Sequence, residues 1–287
     1  MIKVVSDTVP NYPPQAALRS GLELIPVYVT FGGETLRDTV ELSSDEFYMR
    51  LKRASELPTT SQPSVRDFEM LYQRIATAAP DATILSIHLS AAVSGTIESA
   101  RAAAARLPDV DIRIFDTRQV GLGHGLIALE AARMASAGSS LEAIVESITA
   151  MRGAMRLYMV LDTLEYLEKG GRIGRAARLL GTLLDMKPIL TLRDGVVEAH
   201  DRQRSRSRAI EVLVDLLVQD AGGKPGVHLG VMHAACPSEG QALAMDLRRR
   251  LDVEVEVFAE IGPALGVYVG PGTVGAAWYY PGAQPLV

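Results

Sequence analysis

Aromatic side chains are scarce, at 5% of 287 residues with one tryptophan, and the 48% hydrophobic content rests mainly on alanine, leucine and valine. Such a composition packs as aliphatic helices on sheets, and with 22% charged residues it is globular, not disordered. A lone cysteine, Cys236, cannot close an internal disulfide, and no cysteine or histidine cluster has zinc spacing. No metal site is expected. Cys236 reads either as a small half-buried residue at a strand end or as a nucleophile. The net charge of −5 gives the molecule no general pull toward nucleic acid. Every apolar run is cut by charge or proline well short of the roughly 20 residues a membrane span needs. Residues 1–7 read as a strand, not a secretory signal. A reducing, cytoplasmic setting with no cofactor is the expectation.

What is present is a change of texture along the chain, and at this length two domains are expected. Residues 2–5, 24–29, 83–89 and 111–115 are aliphatic runs of strand length. Helical patterns separate them. Ser43 opens one with Glu46 placed for a capping box, and Ser64 opens another with Phe68, Leu71, Tyr72 and Ile75 at helical spacing. Further helices are predicted over 97–106, 126–137 and 141–151. Strands alternating with helices predict a doubly wound, mostly parallel α/β sheet over residues 1–155.

Residues 156–287 read differently. Strand 157–161 leads through a short helix to Lys169, and a helix over 175–186 is ended by Pro188. Asp194-Gly195 marks a hairpin. Helix 206–219, strand 227–232, helix 239–250 and strand 253–258 follow. Two closing strands, near Val267 and over 276–280, flank Gly270-Pro271-Gly272. Their antiparallel pairing predicts an α+β second domain.

In open α/β sheets ligands sit beyond the carboxyl ends of the strands. Here those ends are rich in hydroxyls: Ser6-Asp7-Thr8, Ser90-Ala91-Ala92-Val93-Ser94-Gly95-Thr96 and Asp116-Thr117. Pro58-Thr59-Thr60-Ser61-Gln62-Pro63-Ser64 adds a fourth cluster. Two of the four run into helix starts, where free N–H groups and the positive dipole end favour anions. Gly95 lets the backbone come close to a ligand. Together they describe a neutral, donor-lined cup for a carboxylate or phosphate; plain helix capping is the competing reading.

General bases are few. Of five histidines (His88, His124, His200, His228 and His233), His88 lies near the Ser94 loop and could serve Ser94 as a base. No serine has the Gly-x-Ser-x-Gly elbow, however. Gly121-Leu122-Gly123-His124-Gly125 lacks the lysine of a phosphate loop, which leaves a glycine-loosened helix start as the simpler reading. Arginines cluster at Gly170-Gly171-Arg172-Ile173-Gly174-Arg175 and at Arg202, Arg204, Arg206 and Arg208. They are either solvated faces or one positive docking patch. Leu179, Leu180, Leu183, Leu184 and Met186 suit the wall of an acyl-chain site or an ordinary core.

Taken in order, several segments resemble the DegV family of bacterial fatty-acid-binding proteins across essentially the whole chain. They are Ser6-Asp7-Thr8, Thr59-Thr60-Ser61-Gln62-Pro63-Ser64, Val93-Ser94-Gly95-Thr96, Asp116-Thr117, Leu164-Glu165-Tyr166-Leu167-Glu168-Lys169-Gly170-Gly171-Arg172-Ile173, Leu183-Leu184-Asp185-Met186-Lys187-Pro188-Ile189-Leu190 and Gly270-Pro271-Gly272. The resemblance implies a two-domain DegV-type fold with a long-chain fatty acid between the domains. Thr60 and Ser94 would hold the carboxylate, with Ser61 and the Gly95 backbone beside them.

It further implies a monomeric carrier with no catalytic residues, which presents the acid to a separate fatty-acid kinase for acyl-phosphate formation in phospholipid synthesis. Arg172 and Arg204 would then belong to the kinase-docking face. Two features depart from the family pattern. Tyr268 stands where a histidine of the head-group site is usual, and a phenol can donate one hydrogen bond but cannot become a cation. Ala91-Ala92 replaces a common Ser-Gly. The rival readings are an acyl hydrolase or transferase using Ser94 with His88 or Tyr268, and a lipid-responsive regulatory protein.

Overall fold

A computed structural model of the chain describes residues 1–180 and 186–280. The first half runs β1 (Ile2–Asp7), α1 (Pro14–Ser20), β2 (Glu23–Ile25), β3 (Tyr28–Phe31), β4 (Glu34–Arg37), α2 (Ser44–Arg53) and β5 (Thr59–Ser61). It continues with α3 (Val65–Ala78), β6 (Thr83–His88), α4 (Thr96–Ala105), β7 (Ile112–Asp116), α5 (Gly121–Ser136) and α6 (Leu141–Ala154). The second half opens with β8 (Arg156–Val160), α7 (Glu165–Lys169), a 3-10 turn (Gly174–Leu179), β9 (Lys187–Arg193) and β10 (Val196–Gln203). It closes with α8 (Arg206–Ala221), β11 (Val227–His233), α9 (Pro237–Arg250), β12 (Val253–Glu260), α10 (Pro263–Val269) and β13 (Val274–Tyr279).

The parallel α/β sheet expected of the first half is present, in the order β2-β1-β6-β7 with every pair parallel. The order of strand addition reverses between β1 and β6, with β2 added on one side and β7 on the other, so the carboxyl ends of those two strands flank a topological switch point. Phe68, Tyr72 and Ile75 of α3 and Ala100 of α4 cover one face against Val5 and Ile84. On the other face lies α5, which packs on β1 and also on β11 of the second sheet. That double contact buries every residue from Gly121 to Ala128. The glycine run is thus a packed helix start, and no phosphate could reach it.

The second sheet is mixed, in the order β10-β9-β8-β13-β11-β12, antiparallel except for the β11–β12 pair. Asp194 and Gly195 make its β9–β10 hairpin with φ of 52° and 78°, the left-handed pair a tight two-residue turn requires. A third, small antiparallel sheet has the order β4-β3-β5. No helix among the described residues is long and apolar enough to cross a membrane.

Several elements differ from the sequence reading. Residues 24–29 are not one strand: Pro26 has no N–H for a ladder, and the chain passes there from the parallel sheet into the small one. Thr59–Ser61 is a strand paired with β3, not a loop. Residues around Val267 are helical. Pro263 stands in the first turn of α10, and the Asp38 carboxylate accepts the Ala264 N–H at 3.1 Å, so a valine alternation that suggests a strand is overruled by the helix start. β13 pairs instead with β8 and β11.

The helix expected over 175–186 is a 3-10 turn ending at extended Leu180; residues 181–185, including Leu183 and Leu184, lie outside the described residues. The capping box at Ser43 is only half made. Ser43 Oγ accepts the Glu46 N–H, but the Glu46 carboxylate turns to Arg50. The complete box is at Ser64, with Asp67 as its partner.

Candidate functional site

A cavity of about 80 Å³ lies beyond the carboxyl ends of β1 and β6, between the parallel and the mixed sheets, and opens into a wider space of about 770 Å³ that includes solvent. Val9, Leu89 and Val120 line it from the first half of the chain, and Met159, Leu190, Val197 and Leu265 from the second. All seven are buried. The polar lining is Thr60, Ser61, Gln62, Ser94, Arg172 and Tyr268. Ser61, Gln62 and Arg172 are exposed and the other three half-buried, so the polar group marks the mouth of an otherwise apolar cavity.

These six side chains come from distant segments, and Tyr268 touches two of the others, Thr60 and Arg172. Thr60 on β5 places Oγ1 2.5 Å from the Tyr268 hydroxyl on α10. Ser94 precedes α4; its hydroxyl lies 2.9 Å from Thr96 Oγ1 and accepts the Thr96 N–H at 3.3 Å. Gly95 is the N-cap, and its own N–H has no partner among the described residues. The Gln62 amide lies so close to Gly95 that a Cβ there would meet Nε2 at 2.9 Å. Arg172 donates from Nε to the Val93 carbonyl at 3.3 Å and from Nη1 to the Gly170 carbonyl at 2.9 Å. Its guanidinium stands 5.2 Å from the centre of the Tyr268 ring. Among the described residues the mouth therefore offers hydroxyls, a helix-start N–H and one cation, and no carboxylate.

The Gly-Gly-Arg and Gly-Pro-Gly motifs interlock to build this mouth. The Tyr268 ring fills the space where a Cβ at Gly170 would come within 2.6 Å, and the Tyr166 ring lies equally tight against Gly270. Gly270 also takes a φ of 69°, which side-chain-bearing residues adopt at a cost. Each motif thus supplies an aromatic ring and a glycine that receives the other's ring.

Of the four hydroxyl-rich segments, only two face the cavity. Ser6, Asp7 and Ser86 belong to a second polar cluster that is wholly buried. Asp7 Oδ2 lies 3.1 Å from His88 Nδ1 and accepts the Leu89 N–H at 3.0 Å. His88 Nε2 is 2.7 Å from Ser86 Oγ, itself 2.7 Å from the Tyr72 hydroxyl. On the other side His124 Nδ1 is 3.6 Å from Asp7 Oδ1, and Ser6 links His124 Nε2 to the Tyr12 hydroxyl. Burial alone would raise the Asp7 carboxyl, but His124, the bond from His88 and the Leu89 N–H outweigh it and hold it below the usual carboxylate range. Burial likewise pushes His124 below an ordinary imidazole, against the pull of Asp7. Thr117 is buried too, donating to the His88 carbonyl at 2.8 Å.

Ser86, His88 and Asp7 share the connectivity of a Ser-His-Asp triad. All three are fully buried, however, and none lines the cavity. His88 is thus committed to Asp7 and Ser86, and the pairing of Ser94 with His88 as its base is not made. Among the described residues no histidine, cysteine and carboxylate grouping could hold a metal ion.

A model of the family described as "Uncharacterised protein, DegV family" matches residues 1–281. The chain belongs to the DegV family. A DegV domain-containing protein of Streptomyces coelicolor is 35% identical over 275 residues, covering 96% of each chain. Among solved structures, a fatty-acid-binding DegV family protein from Thermus thermophilus superposes with a TM-score of 0.91 at 34% identity, covering 98% of this chain and 99% of its own. DegV of Bacillus subtilis, described as a fatty acid binding protein, gives 0.89 at 32% identity, with coverage of 98% and 99%.

Against this DegV frame, Thr60, Ser61, Ser94 and Tyr268 line the cavity mouth, and Gly95 lines an adjoining groove that shares Ser94 and Arg172 with it. Arg204 is exposed between β10 and α8 and makes no side-chain hydrogen bond or ion pair among the described residues. Its neighbour Arg206 is structural: its guanidinium grips Glu239, Asp162 and the Gly272 carbonyl together. Leu179, Leu180 and Met186 do not line the cavity; the two leucines pack against the core instead. Two residues escaped the sequence reading. Gln62 stands inside the threonine-serine motif and was legible there as a donor. Asp38 gave no signal at all, yet it is fully buried, accepting from Thr8 at 2.6 Å and from Ala264 at the start of α10. Burial pushes it up to about 7 despite those two bonds.

Proposed function

We propose that this DegV protein is a carrier of long-chain fatty acids. It would hold the acyl tail in the inter-sheet cavity and the carboxylate at the mouth, on the Thr60 and Ser94 hydroxyls and the Gly95 N–H, with Ser61 and Tyr268 alongside. The observation that carries this reading is a buried apolar cavity whose polar groups are gathered at its mouth, with no carboxylate among the described residues there. The fatty-acid binding of the Thermus and Bacillus relatives supports it. Neutral donors stabilise an anion without burying a second charge. The tail supplies the affinity: at about 0.8 kcal/mol per methylene, roughly 14 of them give on the order of 11 kcal/mol before ordering costs. In this reading residues 1–155 and 156–287 are two domains that enclose the ligand between them.

The carboxylate assignment is tested by titrating the delipidated protein with a fatty acid and with the alcohol of equal chain length. The acid should bind at least tenfold more tightly, since hydrogen bonds to a charged group contribute about 1.5–3 kcal/mol each. Equal affinities would remove the head-group site from the account.

The second part of the proposal is presentation of the acid by a cytoplasmic monomer to a separate kinase, for acyl-phosphate formation in phospholipid synthesis. The exposure of Arg172 and Arg204 supports it. Reversing the charge of Arg204, which lies outside the cavity lining, should abolish acyl-phosphate formation with the cognate kinase while bound lipid remains. An undiminished reaction would exclude Arg204 from docking.

A further inference from the structure

Tyr268 stands where three parts of the mouth meet. Its hydroxyl is 2.5 Å from Thr60 Oγ1, its ring carries the Arg172 guanidinium at 5.2 Å, and its edge fills the space left by Gly170. From the ring, Arg172 reaches to the Val93 carbonyl, one residue before Ser94. Arg172 is therefore tied to both walls of the opening, by carbonyls at Val93 and Gly170 and by the ring of α10. The other cation beside the ring is Lys169, in the adjoining groove, where Glu165 pairs with it at 2.5 Å.

Both contacts depend on a phenol. A hydroxyl has one proton to give, so when Tyr268 donates to Thr60, the threonine proton is free to turn toward a carboxylate. Hydrogen bonds linked in such a chain strengthen one another. The ring meanwhile attracts the guanidinium through its negative face. An imidazolium in its place would repel that same guanidinium.

We propose that Tyr268 is a positioning residue for the closure of the cavity: its ring latches Arg172 across the mouth, slowing release of the bound acid. The inference rests on the fatty-acid reading of the cavity. It adds that exchange of the acid is governed by the Arg172–Tyr268 pair at the mouth.

The test is the release rate of cis-parinaric acid, chased with excess oleate in stopped flow. Tyr268→Leu and Arg172→Met should each speed release by about three- to tenfold, the scale of one cation–π contact with its hydrogen bond. The double variant should be no faster than the quicker single one. Tyr268→Phe keeps the ring and should fall between wild type and Tyr268→Leu. Tyr268→His should release faster as pH falls from about 8 to about 6, as the introduced imidazole gains charge beside Arg172. Multiplying effects in the double variant, or a Tyr268→His release rate that does not rise on acidification, would overturn the latch. A second readout needs no lipid: modification of Arg172 by phenylglyoxal, followed by peptide mass spectrometry. It should run several-fold slower in the empty wild type than in Tyr268→Leu. Equal labelling rates refute the latch even if the protein binds fatty acid. A rate difference in a protein that binds none would sustain the latch and refute the carrier reading instead.

Discussion

Two groups of hydroxyls stand at the carboxyl ends of the parallel strands, and the chain treats them in opposite ways. Ser6, Ser86, Tyr12 and Tyr72 are buried around Asp7, His88 and His124 and bond to one another. Thr60, Ser94 and Tyr268 are half-exposed at the lip of an apolar cavity, beside a Gly95 N–H with no partner among the described residues. Residue type does not separate the two groups. What separates them is whether the fold itself satisfies their hydrogen-bonding capacity. The first group fastens β1, β6, α3 and α5 together; the second keeps donors for something that arrives.

The largest effect that would sharpen this contrast is in the buried group. Asp7→Asn puts an amide among donors that need an anion, and breaking a buried charged network costs about 3–5 kcal/mol. Urea unfolding should show that loss, while the lipid content of the folded fraction stays near that of the wild type. The mouth should respond in the opposite sense. Thr60→Ala with Ser94→Ala should lower fatty-acid retention by at least about tenfold, with a stability change within about 1 kcal/mol. A double variant that unfolds as readily as Asp7→Asn would erase the distinction.

The smallest effect concerns Asp38, which joins the two regions by accepting from Thr8 and from the start of α10. The two buried carboxylates should give stability slopes of opposite sign. Asp7 is depressed in the folded state, so its contribution is present above the unfolded carboxylate value and is lost as pH falls through the folded one. Asp38 is raised from 3.8 to about 7, so the folded protein keeps a proton that the unfolded chain has released. Its contribution is therefore full below about pH 4 and is lost as pH rises toward 7. Asp38→Asn should flatten this loss and be the more stable form at about pH 8, by about 1–2 kcal/mol in urea unfolding. A variant less stable than wild type at that pH would mean that the carboxylate is held without strain.

Strands β1, β6 and β7 were legible because they are short, mostly apolar runs set between helical patterns, one of them opened by the box at Ser64 and Asp67. α10 was not. Its valines alternate as they would in a strand, and the helix is decided by Pro263 and by an acceptor more than 200 residues away, Asp38. At the site, Thr60, Ser94 and Gly95 could be named from hydroxyls and a glycine at helix starts. The place of Arg172 in the cavity lining could not, because the contacts that hold it, with Val93 and Tyr268, are both long-range. Nor could the sequence tell that Ser6 and Ser86 are spent internally, since only the fold brings His124 and Tyr72 to them.

The central claim is that the cavity exists to hold a fatty acid. Mass spectrometry of the organic extract from the denatured, purified protein tests it most directly. Free long-chain fatty acid should be recovered at close to one per chain, either as purified or after loading and removal of excess, and markedly less from Thr60→Ala with Ser94→Ala. Recovery of none from the loaded wild type would contradict the account.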